Sequence, residues 1–335
     1  MLKKLFYVPL ISFLVFSNFI VSDDVEEVVV TGSYIKGSPT DGASPVELYD
    51  RSTIEAIGAV NVADITANIA VNSGSENQAD SFTSGALQGR TNVNLRGLGL
   101  SSTLVLFDGR RQTVAGATAN DGSVFVDTSS IPIIALERVE VLKEGAASIY
   151  GSDAVAGVVN YIFRRDFTGF EVDLTHQETD LGSQEDDRVS FIWGAGSGDT
   201  NLVLAYSALD RSPLSQSELE LAPLGISGLG TSFLLFGPST VESGPYAGTY
   251  SAFQNVPDPN CVANKGILIP QASGSRCGFK YGPRFNIVND EEHNQLYVSL
   301  KTVLTSGINA ELDYLKAETD VFDNPQSPSY PALSY

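Results

Sequence analysis

Residues 136–167 read LERVEVLKEGAASIYGSDAVAGVVNYIFRRDF. Apolar and charged residues alternate in Leu136–Leu142, which predicts a β-strand with one apolar and one charged face. The next segment, residues 145–151, is bounded by glycines and predicts a short helical turn. The stretch therefore indicates a strand and a tight turn inside a mixed α/β domain.

Two segments upstream fit the same mixed domain, which we expect to cover residues 37–168. Ser52–Glu55 has the Ser/Thr-x-x-Glu pattern of a capping box before an apolar stretch, which predicts the start of a helix. Thr103–Phe107 reads as a buried strand, and the Asp108-Gly109 pair after it predicts a turn. Short apolar runs separated by polar, glycine-containing clusters indicate an α+β fold.

Longer alternating runs follow in residues 169–335 and predict antiparallel strands. Five such runs are visible, with these apolar positions: Phe170, Val172, Leu174; Val189, Phe191, Trp193; Leu202, Leu204, Tyr206; Leu296, Val298, Leu300; Ile308, Ala310, Leu312, Tyr314. Two connections are short, at 196–199 and 305–307, and one is long, at about 212–286. Tight periplasmic turns and long extracellular loops are typical of transmembrane β-barrels.

Residues 169–335 are therefore expected to form the N-terminal part of a transmembrane β-barrel. Because known barrels have at least about eight strands, five strands cannot close one, and we expect the barrel to be incomplete in this chain. The alternative is a soluble β-sandwich whose strands alternate because one face meets a core. The long connection and the export signal described next favour the barrel.

The first 22 residues read as a signal peptide. Lys3 and Lys4 precede an apolar run from Leu5 to Ile20, and small or acidic residues follow. A membrane anchor is the alternative, but the run is shorter than the roughly 20 apolar residues that a spanning helix needs. We therefore expect export. The formal net charge of −20 argues against a nucleic-acid partner, because phosphates repel an acidic surface.

Only two cysteines are present, Cys261 and Cys277. In the oxidising compartment that export implies, they are expected to form a disulfide that closes a loop. Metal binding is the alternative, but neither His176 nor His293 lies near them or has a second ligand at helical spacing. We expect no metal site and no cofactor.

The sequence also argues against an enzyme. We find no Gly-x-Ser-x-Gly nucleophile elbow between a strand and a helix. A phosphate-binding Gly-x-x-x-x-Gly-Lys-Ser/Thr loop is missing as well. No residue is therefore predicted to be catalytic.

Three segments resemble the TonB-dependent outer-membrane receptor family. The first, EEVVVTGS at residues 26–33, resembles the TonB box and lies in an N-terminal extension that we place at 23–36. The resemblance implies that it pairs with TonB as an added strand, which suits a β-branched run. The residues expected to bind TonB are Glu26, Glu27, Val28, Val29, Val30, Thr31 and Gly32. The alternative is an ordinary first strand of the domain.

The other two segments, residues 92–111 and 136–167, resemble motifs of the family's plug domain. The matching residues are Arg96, Gly97, Asp108, Gly109, Arg110, Glu137, Arg138, Glu140, Gly145, Tyr150, Gly151 and Asn160. The family commonly has Gly-Pro where this chain has Glu144-Gly145, and Ile-Asn-Ile where it has Val159-Asn160-Tyr161. The charged residues are expected to form ion pairs within the plug or across to the barrel wall, as a releasable contact or as static salt bridges.

The resemblance implies a receptor in the Gram-negative outer membrane, in contact with its lipid and with the plug facing the periplasm. A ligand binds outside, and TonB with its ExbB–ExbD motor then rearranges the plug. Iron–siderophore complexes are the most common ligands of the family, and oligosaccharides or cobalamin are alternatives. The other functions considered are a non-energised porin-like protein, a ligand-binding structural protein and a signalling receptor.

Overall fold

The computed structural model describes residues 46–75, 88–119, 121–180, 183–197, 199–219, 226–227, 232–235, 241, 243–251, 253–271, 274–280, 286–305, 308–322 and 333–334. The expected signal peptide at 1–22 and the extension at 23–36 lie outside the described residues.

The N-terminal domain comprises the described residues from 46 to 168. It contains strands β1 (Val46–Asp50), β2 (Thr103–Phe107), β3 (Arg110–Arg111), β4 (Leu136–Leu142) and β5 (Gly157–Phe163), and helices α1 (Arg51–Ile57), α2 (Val62–Ala67) and α3 (Ala147–Tyr150). Short 3-10 helices lie at Leu100–Ser102, Thr128–Ser130, Ile133–Ala135 and Ser152–Ala154. The strands form one sheet in the order β1-β4-β5-β2-β3. Only the β2–β5 pair is parallel, which confirms the expected mixed α/β architecture.

Helix α1 begins earlier than the capping pattern predicts. Its N-cap is Asp50, whose Oδ1 accepts the Thr53 N–H at 2.8 Å. Ser52 lies inside the helix, and its Oγ donates to the same carboxylate at 2.8 Å. The predicted capping box is therefore wrong, because an aspartate one turn ahead of the apolar residues is an equally good cap. Gly58 ends the helix with a φ of 69°, a conformation that glycine adopts without strain.

Strand β4 lacks the exposed charged face that its alternation predicts. Glu140 has 0% and Arg138 has 7% relative exposure. The strand lies between β1 and β5, so it is an interior strand of its sheet rather than an edge. Arg138 Nε lies 2.9 Å from Glu140 Oε1, and this pairing makes the burial of two charges tolerable.

The rest of the chain is almost entirely β-structure. Its strands are β6 (Gly169–Glu178), β7 (Glu185–Ser197), β8 (Thr200–Arg211), β9 (Leu214–Ser215), β10 (Ile226–Ser227), β11 (Ser232–Leu234), β12 (Asn255–Pro257), β13 (Ile267–Pro270), β14 (Ser275–Lys280), β15 (Asn286–Val288), β16 (Asp290–Thr305), β17 (Ile308–Phe322) and β18 (Leu333–Ser334). A 3-10 helix lies at Gln216–Glu218. The short strands form small sheets in the orders β10-β14-β13, β12-β11-β18 and β15-β9.

Five strands of 10 to 16 residues form the long sheet, in the order β17-β16-β8-β7-β6. All neighbours are antiparallel. These are the five runs that the sequence predicts. They are joined by the two predicted short connections, by the long one between β8 and β16, and by a further short connection between β6 and β7. Among the described residues, no helix is long and apolar enough to cross a membrane.

The two faces of the long sheet have opposite polarity. The outer face carries exposed apolar side chains, such as Phe170 at 66%, Leu174 at 73% and Leu312 at 61% relative exposure. The inner face meets the N-terminal domain and buries polar side chains such as Ser190 and Glu291. A soluble sandwich would bury the apolar positions instead. The alternation therefore does not arise from an apolar face that meets a soluble core.

Part of the inner face joins the core of the N-terminal domain. Ile192, Val203, Ala205 and Tyr297 belong to the same buried apolar cluster as β4 and β5. The Tyr297 ring stacks on Phe163, with centroids 4.6 Å apart and planes 19° apart. The domain and the long sheet are thus packed together by apolar contact in this region.

The predicted disulfide between Cys261 and Cys277 is confirmed, with a Cα–Cα distance of 5.8 Å. It braces the connection between β8 and β16. Next to it, Tyr250 is 1% exposed, and its hydroxyl donates to the Ser275 carbonyl at 2.6 Å. The described part of this connection therefore has a small core of its own.

Candidate functional site at the interface between the N-terminal domain and the long sheet

The turn at Asp108-Gly109 brings three predicted plug-motif residues together. Asp108 and Gly109 have φ angles of 47° and 74°, as a type I′ turn requires. The Gly109 N–H donates to Asn160 Oδ1, and Asp108 Oδ1 accepts the Phe163 N–H, both at 2.9 Å. The turn is thereby tied to β5, and the next residue, Arg110, lies at the edge of the sheet.

Arg110 takes part in an ionic cluster that crosses to the long sheet, called here the arginine bridge: Arg110, Arg165, Asp108, Glu311 and Asp313. Arg110 Nη1 lies 2.7 Å from Asp313 Oδ2, and Arg165 Nη1 lies 3.1 Å from Glu311 Oε2. Arg165 Nε lies 2.9 Å from Asp108 Oδ2. Arg110 also pairs with Glu311, and Arg165 with Asp313. The bridge joins the domain to β17 by alternating charges.

The arginine bridge contains three carboxylates and two guanidinium groups. Burial raises the pKa of Asp108, and the nearby charge of Asp313 adds to this, while the Phe163 N–H and Arg165 act in the opposite direction. The Arg165 side chain is 17% exposed and that of Arg110 is 52% exposed. Arg165 is therefore the better shielded cation, and the Arg110 pairs are open to solvent screening.

Sequence reasoning missed Arg165, Glu311 and Asp313 as site residues. A usable signal was present in β17, where Glu311 and Asp313 alternate with the apolar Leu312 and Tyr314. In a strand with a lipid-facing side, charges at every second position face the interior. Their partners are 146 to 203 residues away in sequence, so the pairing itself was not predictable.

A second ionic contact joins the same two units through Glu171 of β6. Arg51 Nη2 lies 3.3 Å from Glu171 Oε1, and Arg164 Nη2 lies 2.7 Å from Glu171 Oε2. Arg51 Nη1 also donates to the carbonyl of Ile133 at 3.1 Å. In both contacts arginines of the N-terminal domain meet carboxylates of the long sheet, whereas Lys301 of β16 pairs in the opposite sense with Asp166 at 3.2 Å. Charges of opposite sign therefore meet across the interface.

The predicted ionic residues of β4 pair within the domain. Arg138 bonds Glu140, as described above, and its Nη1 lies 2.6 Å from Glu137 Oε1. Glu140 is opposite Asn160 in the β4–β5 register. The structure therefore places the pairs of Glu137, Arg138 and Glu140 inside the domain, whereas those of Arg110 cross to the long sheet.

The remaining motif residues shape turns. Arg96 and Gly97 both have positive φ, 58° and 64°, and Arg96 Nη2 donates to the Ala156 carbonyl at 2.9 Å. Arg96 has no carboxylate within 4.0 Å in the described part of the chain, so its expected ion pair is not found. A Cβ on Gly145 would lie 2.9 Å from the Val155 carbonyl oxygen, which explains the glycine there. Tyr150 and Gly151 end α3, as the predicted turn requires.

The expected TonB-binding residues, 26–32, lie outside the described residues.

Each of the two histidines pairs with a carboxylate. His176 Nδ1 lies 2.8 Å from Asp187 Oδ1, and His293 Nε2 lies 2.9 Å from Glu291 Oε2. No group of three or more potential metal ligands occurs within the described ranges.

Comparison with known proteins gives two findings. Residues 38–158 match the model of the TonB-dependent Receptor Plug Domain. The chain also resembles the ferric enterobactin receptor PfeA of Pseudomonas aeruginosa. A mutant form gives a TM-score of 0.52 at 17% identity, over 90% of this chain and 36% of that chain.

A second structure, of a PfeA mutant with enterobactin, gives a TM-score of 0.50 at 17% identity, over 84% of this chain and 34% of that one. The siderophore receptor PirA from Acinetobacter baumannii gives a TM-score of 0.49 at 18% identity, over 84% of this chain and 32% of that chain. The chain spans about a third of the length of these receptors. At identities this low, the similarity concerns the fold alone.

Proposed function

We propose, from the match of residues 38–158 to the model of the TonB-dependent Receptor Plug Domain, that the protein acts in the outer membrane as a receptor that takes up a small ligand. Uptake is driven by TonB, which rearranges the N-terminal domain within the barrel wall. The long sheet is part of that wall, and its outer face contacts lipid.

The observation that carries the proposal is the polarity of the long sheet. Its outer face exposes Phe170, Leu174 and Leu312, as a surface in contact with hydrocarbon requires. Its inner face contacts the N-terminal domain through polar and charged groups and, around Tyr297, through an apolar cluster. A domain held against the polar side of an outward-apolar sheet fits a plug in a membrane wall, and this arrangement argues against an open porin.

The arginine bridge supports a plug that can be displaced. Exposed ion pairs contribute only about 0–1 kcal/mol each, because water can replace the partner when they separate. The Glu171 contact also consists of ion pairs, but its arginines are only 23% and 17% exposed. We propose that TonB, driven by its ExbB–ExbD motor, pulls on a strand formed with Val28, Val29, Val30 and Thr31, and that these polar contacts then exchange partners while the wall stays rigid.

For the ligand we propose an iron–siderophore complex, with an oligosaccharide or cobalamin as alternatives. The reason for the first choice is that PfeA, whose fold this chain resembles, is by its name a ferric enterobactin receptor. The connection between β8 and β16, braced by Cys261–Cys277, is the candidate extracellular loop. Uptake of radioactive iron, with and without a collapsed proton gradient, distinguishes iron complexes from the other two classes.

The experiment that tests the coupling is binding of a purified TonB C-terminal domain to a peptide of residues 23–33. The matched control is the same peptide with Val29→Pro, which removes a backbone donor in the middle of the expected strand. We expect binding that the proline abolishes. Equal binding of both peptides, or no binding by either, contradicts the assignment of residues 26–32 to TonB.

A further inference from the structure

The turn between α1 and α2, here called the corner (Gly58–Val60), is attached to the long sheet through its main chain. Arg188 Nη1 in β7 donates to the carbonyls of Ala59 at 2.8 Å and Val60 at 3.0 Å. Gln177 Nε2 in β6 donates to the Gly58 carbonyl at 2.6 Å. Three consecutive carbonyls thus receive their donors from two side chains of the sheet.

Arg188 is the buried member of this attachment. Its side chain is 6% exposed, and its Nη2 lies 3.1 Å from Asp173 Oδ2 and 3.0 Å from Thr175 Oγ1. Its Nε has no hydrogen-bond partner among the described residues. A buried N–H without a partner is costly unless water reaches it, so a water bonded to Nε would stabilise this guanidinium.

A cavity of about 210 Å³ adjoins the corner and is lined by Arg51, Glu55, Asp173 and Arg188, among others. At about 30 Å³ for each water, it has room for about seven waters. Its lining balances two cations with two carboxylates. The lining also includes Ile54, Ala59 and Ile133, so the cavity is a mixed polar and apolar site with space for water.

Ala59 of the corner belongs to the same buried apolar cluster as the interface at Tyr297, but the corner adds hydrogen bonds from Arg188 and Gln177 to its main chain. The interface at Tyr297 is held by apolar contacts. There Tyr297 stacks on Phe163, and Ile192, Val203 and Ala205 join the common core. Separating apolar surfaces costs about 25 cal/mol for each Å² exposed, whereas water can replace the hydrogen bonds of a hydrated polar contact. The first separation therefore costs least at the corner.

We propose that Arg188 is the positioning residue that latches the corner to the long sheet, and that the N-terminal domain separates from the sheet first at this corner. Its relevance to transport rests on the proposed function, under which a polar solute first passes here. A ligand-sized pocket needs about 300–1,000 Å³, more than the cavity offers. The corner must therefore move for a ligand to pass.

Thiol labelling of the full-length protein in membrane vesicles tests the latch. Both cysteines of these 335 residues are in the disulfide, so one introduced cysteine is their only free thiol. Ala59→Cys reports on the corner. Ala205→Cys is the matched control, because Ala205 is also buried and lies in the apolar part of the interface. Each is combined with Arg188, Arg188→Gln or Arg188→Lys and treated with a hydrophilic maleimide.

We expect Arg188→Gln to accelerate labelling at residue 59 at least tenfold and to leave labelling at residue 205 unchanged. Arg188→Lys keeps the charge but not the forked donors of the guanidinium, so it is expected to give a labelling rate between those of the original protein and Arg188→Gln. Faster labelling at both positions would mean that the whole interface has loosened, and this would contradict the proposal. An unchanged labelling rate at residue 59 would contradict it as well. Neither TonB nor a ligand is needed, so failure here is distinct from failure of the peptide-binding test above.

Discussion

At the scale of single residues, Asp50 decides where the first helix begins. We expect Asp50→Ala to destabilise α1 by about 0.5–2 kcal/mol, the usual cost of losing an N-cap. Asp50→Asn keeps an acceptor for the Thr53 N–H and is the matched control. Hydrogen exchange of the amides of residues 51–57 at neutral pH measures the effect. Equal exchange in the alanine and asparagine variants would show that the cap has no role.

The same carboxylate gives α1 a pH dependence. The Thr53 side chain and N–H, together with the Ser52 hydroxyl, lower the pKa of Asp50. Its contribution is therefore present above the unfolded pKa of about 3.9 and is lost as the pH falls through the lower folded value. Asp50→Asn, which cannot titrate, is expected to lack this acid-induced loss.

The contribution of Asp108 to stability depends on pH in the opposite direction to that of Asp50. Because burial raises its pKa, the folded protein binds this proton more tightly than the unfolded chain does, and the resulting stability is lost as the pH rises through the folded value. Asp108→Asn retains an acceptor for the Phe163 N–H and tolerates the positive φ. Thermal unfolding is measured at pH values from about 4 to about 7, a range that covers the titration of a carboxyl group with a raised pKa. The melting temperature of Asp108→Asn should exceed that of the original protein by a margin that grows as the pH rises. A variant that is less stable at neutral pH would mean that the ion pair with Arg165 outweighs burial.

At the scale of elements, the sequence predicts the strands better than their surroundings. Alternation locates all five strands of the long sheet, because a period of two is a local property. It fails for the charged residues of β4, since the strands that flank β4 and bury Arg138 and Glu140 are not visible in a local pattern. The N-cap at Asp50 fails for a simpler reason, since several residue types cap equally well.

The braced connection between β8 and β16 offers a prediction at this scale. The cysteines are 16 residues apart, and closing a loop of about that size contributes about 3 kcal/mol. We expect Cys261→Ser with Cys277→Ser to make residues 255–280 sensitive to limited proteolysis and to leave the N-terminal domain protected. Gly116→Ala, at a position with open space around it, serves as the control. Unchanged cleavage of the loop would mean that the Tyr250 cluster alone holds it.

At the scale of the whole molecule, the interface combines contacts that no local pattern contains. Arg165 lies about 150 residues before its partners in β17, so only the folded chain reveals that they meet. The sequence does indicate one half of the contact, because the inward carboxylates of β17 follow the period of the strand. It leaves open which cations they face.

The arginine bridge makes the two arginines experimentally distinguishable. Arg165 contacts three carboxylates and is well shielded, whereas Arg110 contacts two and is half exposed. We expect Arg165→Gln to weaken attachment of the N-terminal domain to the long sheet by about 1–3 kcal/mol, and Arg110→Gln by at most about 1 kcal/mol. Denaturant-dependent exposure of the Ala205→Cys thiol measures this attachment, because that residue lies in the interface between the two units.

A double-mutant cycle then tests whether the bridge acts as a unit. Because Asp313 bonds both arginines, Arg165→Gln and Asp313→Asn together should cost less than the sum of the single changes, with a coupling of about 0.5–3 kcal/mol. Additive effects would mean that the two side chains contribute separately. In that case the attachment would rest on the apolar contact at Tyr297, and displacing the domain would require exposing that apolar surface instead of exchanging ion pairs with water.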